Sequence, residues 1–329
     1  MSPASTSMPT DTPTTVVRLG TRRSALAMAQ ATTVAQALRA TGSAVELVGV
    51  ITDGDRSSTA LTESGGVGVF VTQLREELLS GTVDVVVHSL KDLPTAPAPG
   101  LRIAAIPTRE DPRDALVARD RLTLATLPAG ASVGTGSPRR AAQLRAIRSD
   151  LDIRPLRGNV DTRIGKVAAG ELDAIVVAAA GLARLGRLDE ATQLLEVDVM
   201  APAPGQGALA IECRDPDGPG EPDDPRGEPA RRFHDLLAIF DDPAARAAVT
   251  AERGLLAALE AGCTAPVGAF AEVGPALDLH LFAVVVSVDG VTAIRGSADG
   301  PASDAEGIGR RLAADLLARG AGTLMGTGL

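Results

Sequence analysis

Short apolar runs alternate with helical patterns along this chain, and that alternation limits the fold more than any other feature. Residues 83–87 (VDVVV) form a nearly continuous apolar run of the kind that suits a strand buried on both faces. Residues 132–135, 153–156 and 174–178 read the same way. Around them lie segments with apolar residues at helical spacing. One covers 24–39, with Leu26, Ala29, Val34 and Leu38 in phase, and others cover 69–79, 137–148 and 161–169. Strands alternating with helices build βαβ units, so an α/β architecture with largely parallel sheets is expected. Residues 16–19 and 45–51 add two further β-rich stretches.

Past the middle the pattern changes. Residues 214–228 (RDPDGPGEPDDPRGE) are too rich in Pro, Gly and Asp to pack, and read as a surface insertion or linker. A long helical pattern follows over 243–260. Residues 267–272, 277–288 and 291–296 then alternate as a small antiparallel meander, with Asp289-Gly290 as a hairpin signal, and a helix over 304–317 closes the chain. The expected organisation is a loose tail (1–15), a first α/β domain (16–110 and 205–240), a second (111–204) and a C-terminal α+β domain (243–329). The tail lacks the basic and apolar regions of a signal peptide. Residues 53–68, polar and Gly-rich, are too long for an ordinary connection and read as a lid or a disordered segment.

Composition removes several function classes. The net charge is −9, which excludes a dominant nucleic-acid surface. Five Phe with no Trp or Tyr leave little for base-stacking platforms. There is no apolar run of about 18 residues to span a membrane. Two cysteines, Cys213 and Cys263, make no disulfide framework, and three histidines cannot build several metal sites. No Walker loop, dinucleotide fingerprint or Ser/His/Asp triad is present. The expectation is a soluble, cytoplasmic, metal-free protein.

Arginine clustering is the loudest chemical signal. Residues 139–163 hold Arg139, Arg140, Arg145, Arg148, Arg154, Arg157 and Arg163 against Asp150, Asp152 and Asp161. Ser137 is a natural N-cap and Pro138 a natural first helical residue, so Arg139 and Arg140 open a helix. Cations are disfavoured at that positive end unless an anion is bound, and an anionic ligand is therefore expected. Carboxylate and phosphate both suit the arginine fork.

Three more places invite attention. His88-Ser89-Leu90-Lys91-Asp92 follows a buried strand, where open α/β sheets bind ligands, and Lys91 is one of only two lysines, with Lys166. Thr21-Arg22-Arg23-Ser24 is a second cationic helix opening. Cys263 sits in a Gly-containing loop between a helix and a strand, whereas Cys213 follows an apolar strand over 208–211 and reads as a buried, inert thiol. Pro204-Gly205-Gln206-Gly207 reads as a hinge or tight turn. The residues alone point to a cleft for polyanionic small molecules.

Ordered motifs then carry a resemblance over nearly the whole chain from Val17: RLGTRRSALAMAQ, VDVVVHSLKDLPT, REDPRDALV, VGTGSPRR, LRGNVDTRIGK, DAIVVAAAGLARLG, APGQGALAIECR and EAGCTAPVGA. The chain resembles the porphobilinogen deaminases, or hydroxymethylbilane synthases. The resemblance implies two doubly wound domains like those of type II periplasmic binding proteins, an interdomain cleft and a small third domain. It implies a dipyrromethane cofactor held by a thioether to Cys263, with Ser137, Arg139, Arg140, Lys91 and Asp92 binding it. Asp92 falls on the catalytic aspartate, expected as a buried acid with Lys91 beside it. Arg22, Ser24, Arg157, Arg163 and Arg184 fall on substrate-binding positions. The implied substrate is porphobilinogen, the implied product is hydroxymethylbilane, and the enzyme is expected as a monomer. Asp114 is expected to lie outside this site.

The chain departs from the family in TDGD (52–55) and GGVGVF (65–70), where TRGD and GGKGLF are common, and in SPRR, where SLRR is common. A solute-binding or effector-sensing module of the same fold is the alternative reading. Cys263 and Asp92 separate the two, because a reversible binder needs neither a covalent anchor nor a buried acid.

Overall fold

The computed structural model describes residues 16–50, 69–217, 227–262 and 265–325. The expected tail, the expected lid, residues 218–226 of the insertion and Cys263 lie outside the described residues.

The first sheet takes β1 (Val16–Arg22), β2 (Ala44–Val50), β3 (Val85–Ser89) and β4 (Leu101–Ala105), then a late strand, β10 (Leu209–Arg214), in the order β2-β1-β3-β10-β4. The second is built from β5 (Asp114–Ala118), β6 (Ser132–Thr135), β7 (Asp152–Pro155), β8 (Ala174–Ala178) and β9 (Gln193–Leu195), in the order β7-β6-β8-β5-β9. Neither sheet is as parallel as the alternation predicts. β10 runs antiparallel to both β3 and β4, and β5 runs antiparallel to both β8 and β9. The reason is connectivity. β5 enters the second sheet, and β10 re-enters the first, by direct crossings between the sheets and not through a helix, so neither is constrained to the parallel direction.

Helices cover both faces of each sheet. α1 (Ala25–Ala40) packs Val34, Ala35 and Leu38 on one face of the first sheet, beside Phe233 and Leu237 of α6 (Gly227–Ala238). α2 (Val69–Ser80) packs Leu74 and Leu78 on the other. In the second sheet, Leu144 of α3 (Pro138–Ile147) covers one face. Ile164 and Val167 of α4 (Val160–Ala168), with Leu182 of α5 (Ala179–Arg184), cover the other. These are two doubly wound α/β units.

The third unit is a meander of β11 (Val267–Val273), β12 (Asp278–Val286) and β13 (Ala293–Pro301). Gly290, at φ +81°, supplies the left-handed turn residue between β12 and β13. α7 (Pro243–Ala258) and α8 (Ala305–Ala318) cover one face of this sheet through Ala251, Leu255, Ile308 and Leu312. Gly309 lets the two helices touch, since a Cβ there would stand 2.3 Å from the Ala251 carbonyl oxygen. Ala142 of α3, Ala201, Val284 and Val286 form a smaller contact that seats this sheet on the second unit.

Candidate functional site

A cavity of about 1210 Å³ lies between the first two units, at the carboxyl ends of β1, β3, β6, β7 and β8. Three helices start at its wall. Ser24 caps α1 by accepting from the Ala27 N–H at 3.4 Å, Ser137 caps α3 from Arg140 N–H at 3.4 Å, and Asn159 caps α4 from Thr162 N–H at 2.8 Å. Their positive ends and unsatisfied N–H groups favour anions. The wall carries Arg22, Lys91, Arg140, Arg145, Arg154, Arg157, Arg163 and Arg184 against only Asp92 and Asp161. Inside a protein of net charge −9, that is a local reversal of sign.

Each cation is held differently. Arg163 Nε donates to Gly158 O at 2.8 Å, and Arg184 Nη2 donates to Gly207 O at 2.5 Å. Burial holds both guanidiniums below their ordinary pKa, Arg140 adding to the effect on Arg163 and Glu110 opposing it on Arg184. Lys91 and Asp92 sit on a 3₁₀ turn, Leu90–Asp92, directly after β3. Leu90 is buried and anchors the turn, leaving Lys91 half-buried and Asp92 exposed at the cavity wall. The buried acid expected at Asp92 is therefore corrected: with Leu90 taking the inward position, the turn leaves Asp92 on its open side. Desolvation by the protein around it lowers the Lys91 pKa to about 8, Arg140 adding to the push while Asp92 and Asp114 oppose it.

A smaller recess of about 260 Å³ shares the wall formed by Lys91, Asp92, Ser137 and Arg140. Arg139, Gln206 and Leu256 complete it, with Gly262 and Ala265, the described residues on either side of Cys263. The sequence-predicted residues thus gather: Arg22, Ser24, Lys91, Asp92, Ser137, Arg140, Arg157, Arg163 and Arg184 line the main cavity, and Arg139 lines the recess.

Arg139 and Arg140 nonetheless differ from expectation. One anion for their helix opening is already in the protein. Asp114, fully buried at the start of β5, accepts from Arg139 Nη2 at 2.8 Å and from Arg140 Nε and Nη2 at 3.0 and 2.7 Å. Burial alone would raise its pKa, but Arg139, Arg140 and Gln206 together hold the carboxyl well below the usual range. Asp114 lines neither the cavity nor the recess, but it stands directly behind the two arginines that do. Arg139 keeps a buried Nε without a hydrogen-bond partner among the described residues.

Other flagged residues are structural. Arg148 donates to the Leu124 and Leu127 carbonyls and pairs with Asp150, while Arg23 reaches Gly49 O. Lys166 pairs with Glu171 on the surface. His88 is buried 3.3 Å from Glu212, which Arg75 clasps. Cys213 is buried, and burial pushes its thiol up to about 12.

The third unit also braces the turn beside the site. Glu252 of α7, fully buried, takes both arms of Arg109 at 2.7 and 3.1 Å and accepts from Gly205 N–H at 2.6 Å. This clamps the turn over residues 204–207 against α7. Gly207, at φ +89°, sits where a Cβ would lie 2.4 Å from Glu110 O, so only glycine fits.

No helix among the described residues is long and apolar enough to cross a membrane, and no cluster of metal-ligating side chains occurs among them. Known proteins share this sequence closely. Residues 17–219 match the family described as "Porphobilinogen deaminase, dipyromethane cofactor binding domain", and residues 246–318 match its "C-terminal domain". A porphobilinogen deaminase of Acidothermus cellulolyticus is 58% identical over 311 residues, covering 94% of this chain and 91% of the relative. One of Mycobacterium tuberculosis strain H37Rv is 55% identical over 318 residues, covering 94% and 98%. Among solved structures, an ABC transporter periplasmic substrate-binding protein of Coxiella burnetii overlaps 68% of this chain and 98% of its own, at 15% identity and a TM-score of 0.40. The two domain matches and the sequence identity over nearly the full length, on a chain whose cavity gathers the motif residues, place this protein in the porphobilinogen deaminase family.

Proposed function

We propose that this chain joins four porphobilinogen molecules head-to-tail, with loss of ammonia, onto a covalently held dipyrromethane, and releases hydroxymethylbilane by hydrolysis. One observation carries the reading: Lys91, Asp92, Ser137, Arg139 and Arg140 meet both flanks of Cys263 around one recess, and that recess shares a wall with a cationic cavity.

The residues present suit a dipyrromethane. Its carboxylates call for fixed cations and N-terminal helix dipoles, and its pyrrole N–H groups call for an acceptor. Lys91, Arg139, Arg140 and the Ser137-capped end of α3 would supply the first, Asp92 the second, and Cys263 the thioether. When bound, the group supplies the pyrrole carbon to which the first substrate is joined.

The remaining roles belong to the chain itself. Arg22, Ser24, Arg157, Arg163 and Arg184 pair with the acetate and propionate groups of porphobilinogen, where arginine forks give bidentate contacts. Asp92 accepts from the substrate pyrrole N–H and holds negative charge opposite the cation left as ammonia departs. Lys91 contributes a compact positive charge that an arginine fork would not reproduce. In this assignment residues 16–110 with 205–240 and residues 111–204 form the cleft domains, and residues 243–329 carry the cofactor cysteine. The reaction needs no metal, nucleic acid, membrane or second subunit.

Intact mass tests the reading. Protein made with porphobilinogen available is expected to exceed its sequence mass by one dipyrromethane unit. Cys213→Ser keeps that increment, and Cys263→Ser loses it together with turnover. A bare wild-type mass with reversible binding of porphobilinogen would mark a solute-binding module and overturn the assignment.

A further inference from the structure

The chain crosses from the first sheet to the second between β4 and β5 and returns between β9 and β10. Gln206 lies on the return crossing, fully buried. Its Nε2 donates to Pro112 O and to Asp114 Oδ1, both at 2.8 Å, and so stitches the return crossing to the outward one. Two good acceptors on Nε2 settle which way the amide faces. Its Oε1 is thereby turned toward two cations, Lys91 Nζ and Arg140 Nη2, each at 3.4 Å. A flipped amide would set N–H donors against both cations and a carbonyl oxygen against the Asp114 carboxylate. The backbone is pinned as well, since Gln206 O accepts from Arg109 Nε at 2.9 Å.

We propose that Gln206 is a positioning residue of the cleft, holding the Lys91 ammonium of the first unit in register with Arg140 of the second. Its carbonyl dipole stands between two like charges that would otherwise drive each other apart. Direct pairing of Lys91 with Asp114 is replaced by a relay in which Asp114 serves the two arginines and Gln206 passes a partial negative charge to Lys91. The charged groups acting on Lys91 come from every side: Asp92 on its own turn, Arg139 and Arg140 from α3, and Asp114 from β5. Gln206 is the neutral member among them. The idea rests on the proposed reaction for its purpose but not for its test.

Only Lys91 and Lys166 are lysines, so protein labelled with ¹³C-lysine gives two Cε signals, and Lys166→Arg assigns them. The comparison is between the whole enzyme, Gln206→Met and Gln206→Glu, each titrated from neutral to alkaline pH. Gln206→Met keeps the volume but removes the dipole, and is expected to displace the Lys91 resonance and lower its titration midpoint. Gln206→Glu brings a full negative charge to the same distance and is expected to raise the midpoint by about one to three pH units. The alkaline limb of the kcat profile should move in the same direction as the resonance. If the carboxylate placed beside Asp114 prevents Gln206→Glu from folding, Gln206→Met decides alone. A Lys91 signal superimposable on wild type in a folded variant overturns the proposal. Failure of the proposed reaction would appear separately, as a wild-type mass without dipyrromethane.

Discussion

Arg140 lays two guanidinium nitrogens on a single carboxylate oxygen of Asp114, at 3.0 and 2.7 Å, and both side chains are buried. Arg139 holds the other oxygen. Removing the one anion leaves two buried cations facing each other. Asp114→Asn is expected to destabilise the fold by about 3–5 kcal/mol, measured by denaturant unfolding at neutral pH. The pH dependence has a definite sign. The folded-state pKa of Asp114 is depressed, so its stabilisation is present above the unfolded carboxylate pKa and is lost as pH falls through the folded value. Unfolding of Asp114→Asn at the wild-type midpoint would show that the arginines do not need it.

Lys91 runs the other way. Its folded pKa, about 8, lies below the model-compound value of 10.5, so the charged form is held at a cost. Lys91→Met is expected to raise the melting temperature below pH 8 while impairing cofactor loading and turnover. The gain should fade between about pH 8 and 10.5, where the wild-type amine is neutral in the folded state but charged in the unfolded one. Carboxylates of a bound cofactor raise this value, so wild-type activity should decline only above about pH 8, as the ammonium is lost. A Lys91→Met protein less stable than wild type at pH 7 contradicts the assignment of a strained cation.

Asp92 faces a cation that exists only during reaction, so its loss should fall on kcat more than on KM. Asp92→Asn is expected to fold and carry cofactor yet turn over about 10²–10³ more slowly. Asp92→Glu keeps the charge one methylene away and should trap partly elongated chains, visible as stepwise mass increments. Because Asp92 is exposed, neither change should alter the unfolding free energy by more than about 0.5 kcal/mol. Elongation by Asp92→Asn at the wild-type rate ends its catalytic assignment.

Gly207 joins backbone geometry to the cationic wall, because its carbonyl receives Arg184. Gly207→Ala forces a Cβ to within 2.4 Å of Glu110 O at a positive φ, which costs about 1–3 kcal/mol in conformational strain alone. The Arg184 anchor should shift with it, raising KM for porphobilinogen. An unchanged KM in a folded Gly207→Ala protein would show that Arg184 is placed by other contacts.

Local features were legible in the sequence where a short stretch decides its own conformation. Ser24, Ser137 and Pro138 announce the starts of α1 and α3, and residues 132–135 and 174–178 match β6 and β8 to the residue. β4, β5 and β9 escape notice because none is a clean apolar run: Arg102 interrupts β4, and β9 is three residues opening on Gln193. β5 also begins with an aspartate, which pattern reading sends to the surface. The demand for an anion beside Arg139 and Arg140 is sound electrostatics. That the anion is a side chain 25 residues upstream is a fact of tertiary structure that helix-dipole reasoning cannot supply. Gln206 hides for the same reason, since a turn of glycines and proline conceals a side chain whose partners are all distant. The resemblance, by contrast, names most of the cavity wall, because those residues sit in contiguous motifs at strand ends.

The order of strands has a consequence for biosynthesis. Among the described residues, β10 lies between β3 and β4 and is the only strand paired with β4, yet it follows all five strands of the second sheet in the chain. A polypeptide leaving the ribosome therefore finishes the second sheet while the first still lacks an inner strand. For the time needed to translate about a hundred codons, β3 and β4 wait with open edges, the state in which strands most readily pair wrongly. The nascent chain that most needs shielding is the one that already contains a complete second unit.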